Sequence, residues 1–278
     1  MTVREALALS ERITERPDAR LLMMHVLNTD AAGLISKYRD ELSDKKRDDF
    51  FSAVRRCADG EPSAYITGRR GFYGLDFIVT PDVLIPRQET EQLVERALEH
   101  IPYDAPCRVL DLCTGSGCVG LSIAHERPLA SVALCDVSEG ALNVAKRNSQ
   151  ALGLNADFIL GDVRTLELSP ESFDVIVSNP PYIKDGYRDM LERKVRDHEP
   201  PLALFGGEDG LMFYNMITRR FKDALSHGGV MLFESGDECG GKKICESIVK
   251  IFNENGYKDA RMYADLSGNM RIISARNE

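Results

Sequence analysis

Asn179-Pro180-Pro181-Tyr182 sets an amide, a stiff backbone and a phenol ring in four consecutive positions. The tetrapeptide follows the apolar run 173–178, which reads as a buried strand. Proline cannot extend a sheet, so the strand stops here, and Pro180 holds Asn179 extended. The arrangement suits a planar NH2 group. The Asn179 side-chain oxygen and the Pro180 carbonyl can take its two protons, and the Tyr182 ring can cover its plane. A Pro-Pro turn can also end a strand and do nothing more. The residues upstream separate these readings.

Residues 108–112 read as a strand, and Cys113-Thr114-Gly115-Ser116-Gly117-Cys118-Val119-Gly120 reads as a glycine-rich turn opening a helix. Strand, turn and helix form the first half of a doubly wound nucleotide-binding unit. Thr114, Gly115, Ser116 and Gly117 are the candidate ligand-binding turn. Asp111, just before it, can hold the turn or reach the ligand. The next strand, 131–135, ends in Asp136, which can accept both hydroxyls of a ribose. A third run, 157–160, ends in Gly161-Asp162, where Asp162 or the Val163 backbone can meet the amino edge of an adenine. Four strands thus end in small or polar residues at one edge, where open α/β sheets bind ligands. The turn also fits the dinucleotide fingerprint of nicotinamide and flavin enzymes. Hydride transfer does not need Asn-Pro-Pro-Tyr, however. A sulfonium methyl donor beside a bound NH2 group explains both ends of the site.

At these residues the chain resembles class I S-adenosylmethionine-dependent methyltransferases. Within them it is similar to bacterial enzymes that methylate the glutamine of peptide chain release factors. The likeness takes in 60–68, 72–74, 83–91, 111–117, 179–183, 198–200, 205–211 and 265–271, in that order. Cys113 stands where a glycine is typical, beside the donor loop, and Gln88 where a proline is typical. The resemblance implies a mostly parallel seven-stranded sheet, S-adenosylmethionine as donor and S-adenosylhomocysteine as product. It implies a donor site of Asp111, Thr114, Gly115, Ser116, Gly117, Asp136, Asp162, Val163 and Asn179. It implies a substrate site of Asn179, Pro180, Pro181 and Tyr182, with Asn179, Pro180 and Tyr182 catalytic. The implied target is the glutamine of the Gly-Gly-Gln loop in class I release factors.

Composition sets limits. The 278 residues are 43% hydrophobic and 28% charged, as in ordinary soluble proteins. No apolar run approaches a bilayer span, and Arg4, Glu5, Glu11 and Arg12 argue against a signal peptide, so a cytoplasmic protein is expected. The net charge is −9: residues 1–75 carry +1 and the remainder −10. Such a balance repels phosphate, and Lys45-Lys46-Arg47 and Arg69-Arg70 read as solvated clusters, so direct nucleic-acid binding is not expected. Seven cysteines without a C-x-x-C pair read as small buried thiols, and five scattered histidines show no ligand spacing, so no metal is expected. His25 reads as a core or interface residue.

The predicted class is α/β, a doubly wound sheet with a small N-terminal helical domain and a linking β-hairpin. Residues 1–75 read as a helical substrate-recognition domain, 76–104 as hairpin and linking helix, and 105–278 as the methyltransferase domain. The hairpin is placed over 72–85, with Thr80-Pro81-Asp82 near its turn. The polar stretch 184–210 reads as a long loop able to cover the site. Helices are predicted over 211–225 and 242–255, with a closing antiparallel pair at 257–264 and 270–275. An amide nitrogen is a poor nucleophile and a very weak acid, so positioning rather than a basic histidine is the expected strategy. Two other readings remain open from the residues: an exocyclic-amine methyltransferase acting on adenine or guanine in DNA or RNA, and a binding module that keeps the donor fold without catalysis. A monomer is expected.

Overall fold

A computed structural model describes residues 1–236, 241–265 and 267–278; Cys239 and Leu266 lie outside the described residues. Along the chain the helices and strands are α1 (Val3–Ser10), α2 (Arg16–Leu27), α3 (Ala31–Ser36), α4 (Asp44–Ala58), α5 (Ser63–Thr67), β1 (Arg69–Phe72), β2 (Leu75–Ile78) and α6 (Glu91–Leu98). Then come β3 (Cys107–Leu112), α7 (Cys118–Glu126), β4 (Ala130–Asp136), α8 (Glu139–Leu152), β5 (Asp157–Leu160) and β6 (Phe173–Ser178). The last are α9 (Arg193–His198), α10 (Met212–Arg220), β7 (Leu225–Glu234), α11 (Lys242–Glu254), β8 (Tyr257–Ala264) and β9 (Met270–Asn277). None of the described helices is long and apolar enough to cross a membrane.

Two units divide the chain: Met1–Arg69 with Glu192–His198, and Arg70–Leu191 with Glu199–Glu278. In the first, side-chain caps start α1, α3 and α4. Thr2 and Glu5 close a capping box at α1, and Asp30 and Ser43 cap α3 and α4. Leu22, Met23, Leu34, Phe50 and Val54 fill the core. Asp18 ties α9 in, accepting from Lys194 Nζ at 3.1 Å and from Ser63 Oγ at 2.6 Å. His25 is exposed rather than buried, because α2 buries the stripe Ala19, Leu22 and Met23 and His25 lies off it.

In the second unit the apolar runs become a seven-stranded sheet in the order β5-β4-β3-β6-β7-β9-β8. All pairs are parallel except those made by β9. The central strands are buried on both faces, as parallel sheets with helical cover require. Val109, Val175, Val177 and Val230 pack on one side with residues of α6 and α7. Leu110, Leu112, Ile176 and Met231 pack on the other with residues of α10 and α11.

The hairpin lies earlier than the sequence predicts. It is β1 and β2, turning at Tyr73 (φ 50°) and Gly74 (φ 73°). Two successive positive φ values are the signature of the tight hairpin turn whose twist matches the strands. Tyrosine at the first position hides that signal. Residues 80–82 instead form a separate turn, with Val83 N–H donating to the Thr80 carbonyl at 3.1 Å. The stretch 184–210 is not a plain loop. It holds 3-10 turns at Asp185–Met190 and Pro201–Ala203, with α9 between them.

Candidate active site

Register brings the ends of the strands together. Leu112 of β3 stands level with Cys135 of β4 and Ser178 of β6, and Asp136 of β4 with Leu160 of β5. One sheet edge therefore carries the glycine-rich turn, Asp136, Gly161-Asp162 and Asn179 side by side. A cavity of about 490 Å³ opens there, within the usual size of small-molecule sites.

Asp111 holds the turn. Its Oδ2 accepts from Thr114 Oγ1 at 2.6 Å and from Gly120 N–H at 3.0 Å. Burial pushes its carboxyl up to about 7, against the pull of those two donors. Gly115 has a positive φ (54°), and a Cβ placed on it would meet nothing, so ligand can approach its backbone. Gly120 serves packing instead: a Cβ there would stand 2.3 Å from Leu134. Cys113 has φ 59°, a left-handed conformation that favours glycine, which explains why glycine is typical at this position. Burial raises its thiol well above the ordinary value.

Asp136 lines the cavity and accepts from Gly115 N–H at 2.9 Å and Ser138 N–H at 3.0 Å. The side-chain cap of α8 is Ser138, so Asp136 is free of that duty. Burial raises its carboxyl. Asp162 also lines the cavity, but its carboxylate is held by Arg164 at 2.5 Å and drawn below its ordinary range by that guanidinium. The Val163 N–H has no partner among the described residues, and Val163 lines the cavity. Of the two adenine contacts expected there, the backbone one has the uncommitted group.

Asn179 and Pro181 line the cavity, whereas Pro180, Tyr182 and Gly117 do not. Tyr182 is half-buried beside the cavity wall rather than in it. Its ring packs beside the core around Leu112 and Tyr214. The stretch 200–213 completes the wall through Pro200, Leu202, Phe205 and Phe213. It is fastened to the tetrapeptide's exit by Ile183 N–H to Leu204 O (2.9 Å) and Gly206 N–H to Ile183 O (2.8 Å).

Four contributors have roles that the local motifs do not show, although Thr90 and Glu199 fall within the stretches 83–91 and 198–200. Asn148 of α8 is fully buried. Its Oδ1 accepts from Ile78 N–H at 2.6 Å, and its Nδ2 donates to Ile78 O at 3.0 Å and to Ser116 O at 2.9 Å. Glu199, also buried, takes Arg87 Nη2 at 2.5 Å. Thr90 accepts from Asn179 Nδ2 at 3.3 Å, and its hydroxyl draws down the pKa of the buried carboxylate of Glu234, the last residue of β7. Only their long-range partners mark these residues, and no spacing in the sequence shows those.

Residues 90–197 match the family model described as Methyltransferase small domain, and residues 2–68 match PrmC N-terminal domain. The release factor glutamine methyltransferase of Xylella fastidiosa strain Temecula1 is 42% identical over 269 residues, 97% of this chain and 95% of its own. That of Koribacter versatilis is 37% identical over 261 residues, 94% of this chain and 91% of its own. A methyltransferase from Pyrococcus furiosus has the same fold, with a TM-score of 0.53 at 19% identity, covering 73% of this chain and 89% of that one.

Proposed function

The chain belongs to the release factor glutamine methyltransferase family, and on that premise we propose how its residues act. It transfers a methyl group from S-adenosylmethionine to the side-chain amide nitrogen of the glutamine in the Gly-Gly-Gln loop of class I release factors. The observation that carries the residue assignment is Asn179 at the edge of a donor-type cavity. Its Nδ2 is tied back to Thr90, and its Oδ1 has no donor among the described residues.

The residues present fit the donor. Gly115 leaves the backbone open, Asp136 offers a carboxylate at the end of β4, and the Val163 N–H awaits an acceptor. Asp111, Thr114, Ser116 and Gly117 shape the turn, with Asp162 beside it. S-adenosylmethionine, when bound, supplies an electrophilic methyl group.

Asn179 Oδ1 and the Pro180 carbonyl accept the two N–H bonds of the substrate amide. This directs the nitrogen's lone pair away from both acceptors. As the nitrogen takes the methyl carbon, whose bond to the donor sulfur breaks, it gains positive charge and both acceptors hold it more strongly; its proton then leaves to water. Preorganised dipoles of this kind stabilise the transition state without a basic histidine. Pro181, rather than Tyr182, presents the apolar face, and Tyr182 braces the turn from behind.

Residues 1–75 supply remote contacts with the folded release factor, 76–104 link, and 105–278 carry the donor and the chemistry. One glutamine among many cannot be chosen by an amide pocket alone. The −10 carried by residues 76–278 suits a protein substrate better than nucleic acid, and the enzyme works as a cytoplasmic monomer.

The test is incubation with labelled donor and a purified class I release factor, then mass mapping. The methyl group should fall on the Gly-Gly-Gln glutamine. Asn179→Ala should lose about a hundredfold or more in kcat while keeping donor affinity. A methyl group elsewhere overturns the substrate, and near-normal turnover of the variant overturns the role of Asn179.

A further inference from the structure

Asn179 has two ends of similar shape and opposite chemistry. To accept a substrate N–H it must show the cavity its oxygen. A flip about the last side-chain torsion would show the NH2 group instead, and that torsion has a broad, roughly two-fold preference. Something beside the tetrapeptide must break the symmetry.

Thr90 is the neighbour in place to do so, its Oγ1 lying 3.3 Å from Asn179 Nδ2. A hydroxyl both donates and accepts, so Thr90 selects an orientation only if its own proton is committed. Glu234 is placed to commit it. An ionised carboxylate only accepts, so the Thr90 hydroxyl, which draws the Glu234 pKa down, acts on it as donor and offers Asn179 a lone pair. The sheet register brings this about: Ser178 pairs with Phe233, which sets Asn179 and Glu234 one step further along neighbouring strands.

Two further observations separate this trio from ordinary packing. Thr90 enters α6 already in helical conformation (φ −67°, ψ −19°), so its hydroxyl makes no capping bond and is left to its side-chain neighbours. Glu234 is 1% exposed, and its Oε2 has no partner among the described residues. A buried carboxylate with one oxygen unserved is an unfavourable way to fill space.

We propose that Thr90 and Glu234 are positioning residues that fix the Asn179 amide, through the ordered bonds Asn179 N–H to Thr90 and Thr90 O–H to Glu234, with Oδ1 toward the substrate. The proposal rests on the reading of Asn179 as acceptor for the substrate amide.

The relay has a direction, and protonation can reverse it. A neutral Glu234 can donate to Thr90, which can then donate to Asn179 Oδ1 and turn the NH2 group toward the cavity. Burial pushes the Glu234 carboxyl up to about 7. Arg271 on β9 and Arg87 ahead of α6 favour its charged form, and Glu89 opposes it. The Cys118 thiol on α7 feels its charge, while the Tyr214 hydroxyl on α10 donates to its main-chain carbonyl at 2.8 Å. Turnover should therefore fall as pH drops through about 7.

The test compares full-length Thr90→Val, Thr90→Ser, Glu234→Gln and Asn179→Ala for kcat, release-factor KM, donor affinity and kcat against pH. Thr90→Val should lose roughly tenfold or more in kcat with donor affinity within about twofold, and Thr90→Ser should recover most of it. Glu234→Gln should lower the plateau and flatten the acid limb. The relay is overturned if Thr90→Val keeps normal kcat, if Thr90→Ser is as slow as Thr90→Val, or if the acid limb survives in Glu234→Gln. A Thr90→Val that does not fold leaves the serine and glutamine variants to decide. An inactive Asn179→Ala beside a normal Thr90→Val sinks the relay alone. A normal Asn179→Ala sinks the acceptor reading beneath it.

Discussion

Gly206 passes Pro181 so closely that a Cβ added to it would stand 2.5 Å from the Pro181 carbonyl oxygen. That atom is backbone and cannot swing aside. The same Cβ would lie 2.8 Å from Tyr182 Cα. Gly206 thus allows the segment that walls the cavity to lie directly against the turn that holds Asn179.

Gly206→Ala should therefore move the acceptor turn without touching the donor loop. We expect kcat to fall by about tenfold or more, because small displacements of positioned groups are costly in rate. Donor affinity should stay within about twofold. Stopped-flow or steady-state turnover beside donor titration checks this. Equal losses in both would place the strain in the whole sheet edge instead.

Asn148 joins the hairpin to the donor loop through three hydrogen bonds made from full burial. Asn148→Ala leaves Ile78 and Ser116 with unserved backbone groups. The expected loss is about 2–4 kcal/mol of stability, together with weaker donor binding, because Ser116 stands in the turn. Denaturant unfolding and calorimetry measure the two effects. A stability loss with unchanged donor affinity would confine Asn148 to the scaffold.

The sheet was legible because each strand carries its own punctuation. The runs at β5, β6 and β8 end at turn residues or at Asn-Pro, and observed and expected limits coincide there. The parallel order followed from the strand–turn–helix repeat. The hairpin was misplaced because Tyr73 occupies a position whose positive φ ordinarily calls for glycine or asparagine. At the site, Asn179 and Asp136 could be read because they close strands. The pairings of Thr90, Asn148, Glu199 and Glu234 could not, even where the residue lies in a motif stretch, since each acts on a segment distant in the chain and no local pattern records the pairing.

Asp136→Ala should weaken the donor and spare the protein substrate. The carboxylate lines the cavity, and Ser138 already caps α8. Lost charge-assisted bonds to a ribose cost about 1.5–3 kcal/mol each, so donor affinity should drop at least about tenfold. The two backbone donors at Gly115 and Ser138 also lose their acceptor, so some loss of melting temperature accompanies it. A lower melting temperature with unaltered donor affinity would make Asp136 a loop brace only.

Glu234 ties stability to pH with a sign opposite to that of an ordinary surface carboxylate. Its folded value stands near 7 against 4.5 for the free group, because burial disfavours the charge. Between those values the folded chain binds more protons than the unfolded one. Stability therefore falls as pH rises through that window, and the loss is complete above the folded value. The difference corresponds to a cost on the order of 3 kcal/mol at pH 8. Glu234→Gln removes the charge and keeps the shape. The variant should be more stable than the parent at pH 8, and the gap should close toward pH 5, while its turnover at pH 8 is lower. Urea unfolding at the two pH values, set beside kcat, checks all three. Asp111, also pushed up to about 7, should leave its own slope in both proteins, so the difference between them isolates Glu234. A variant that is both less stable and slower at pH 8 would mean that the carboxylate holds the fold rather than the orientation of Asn179.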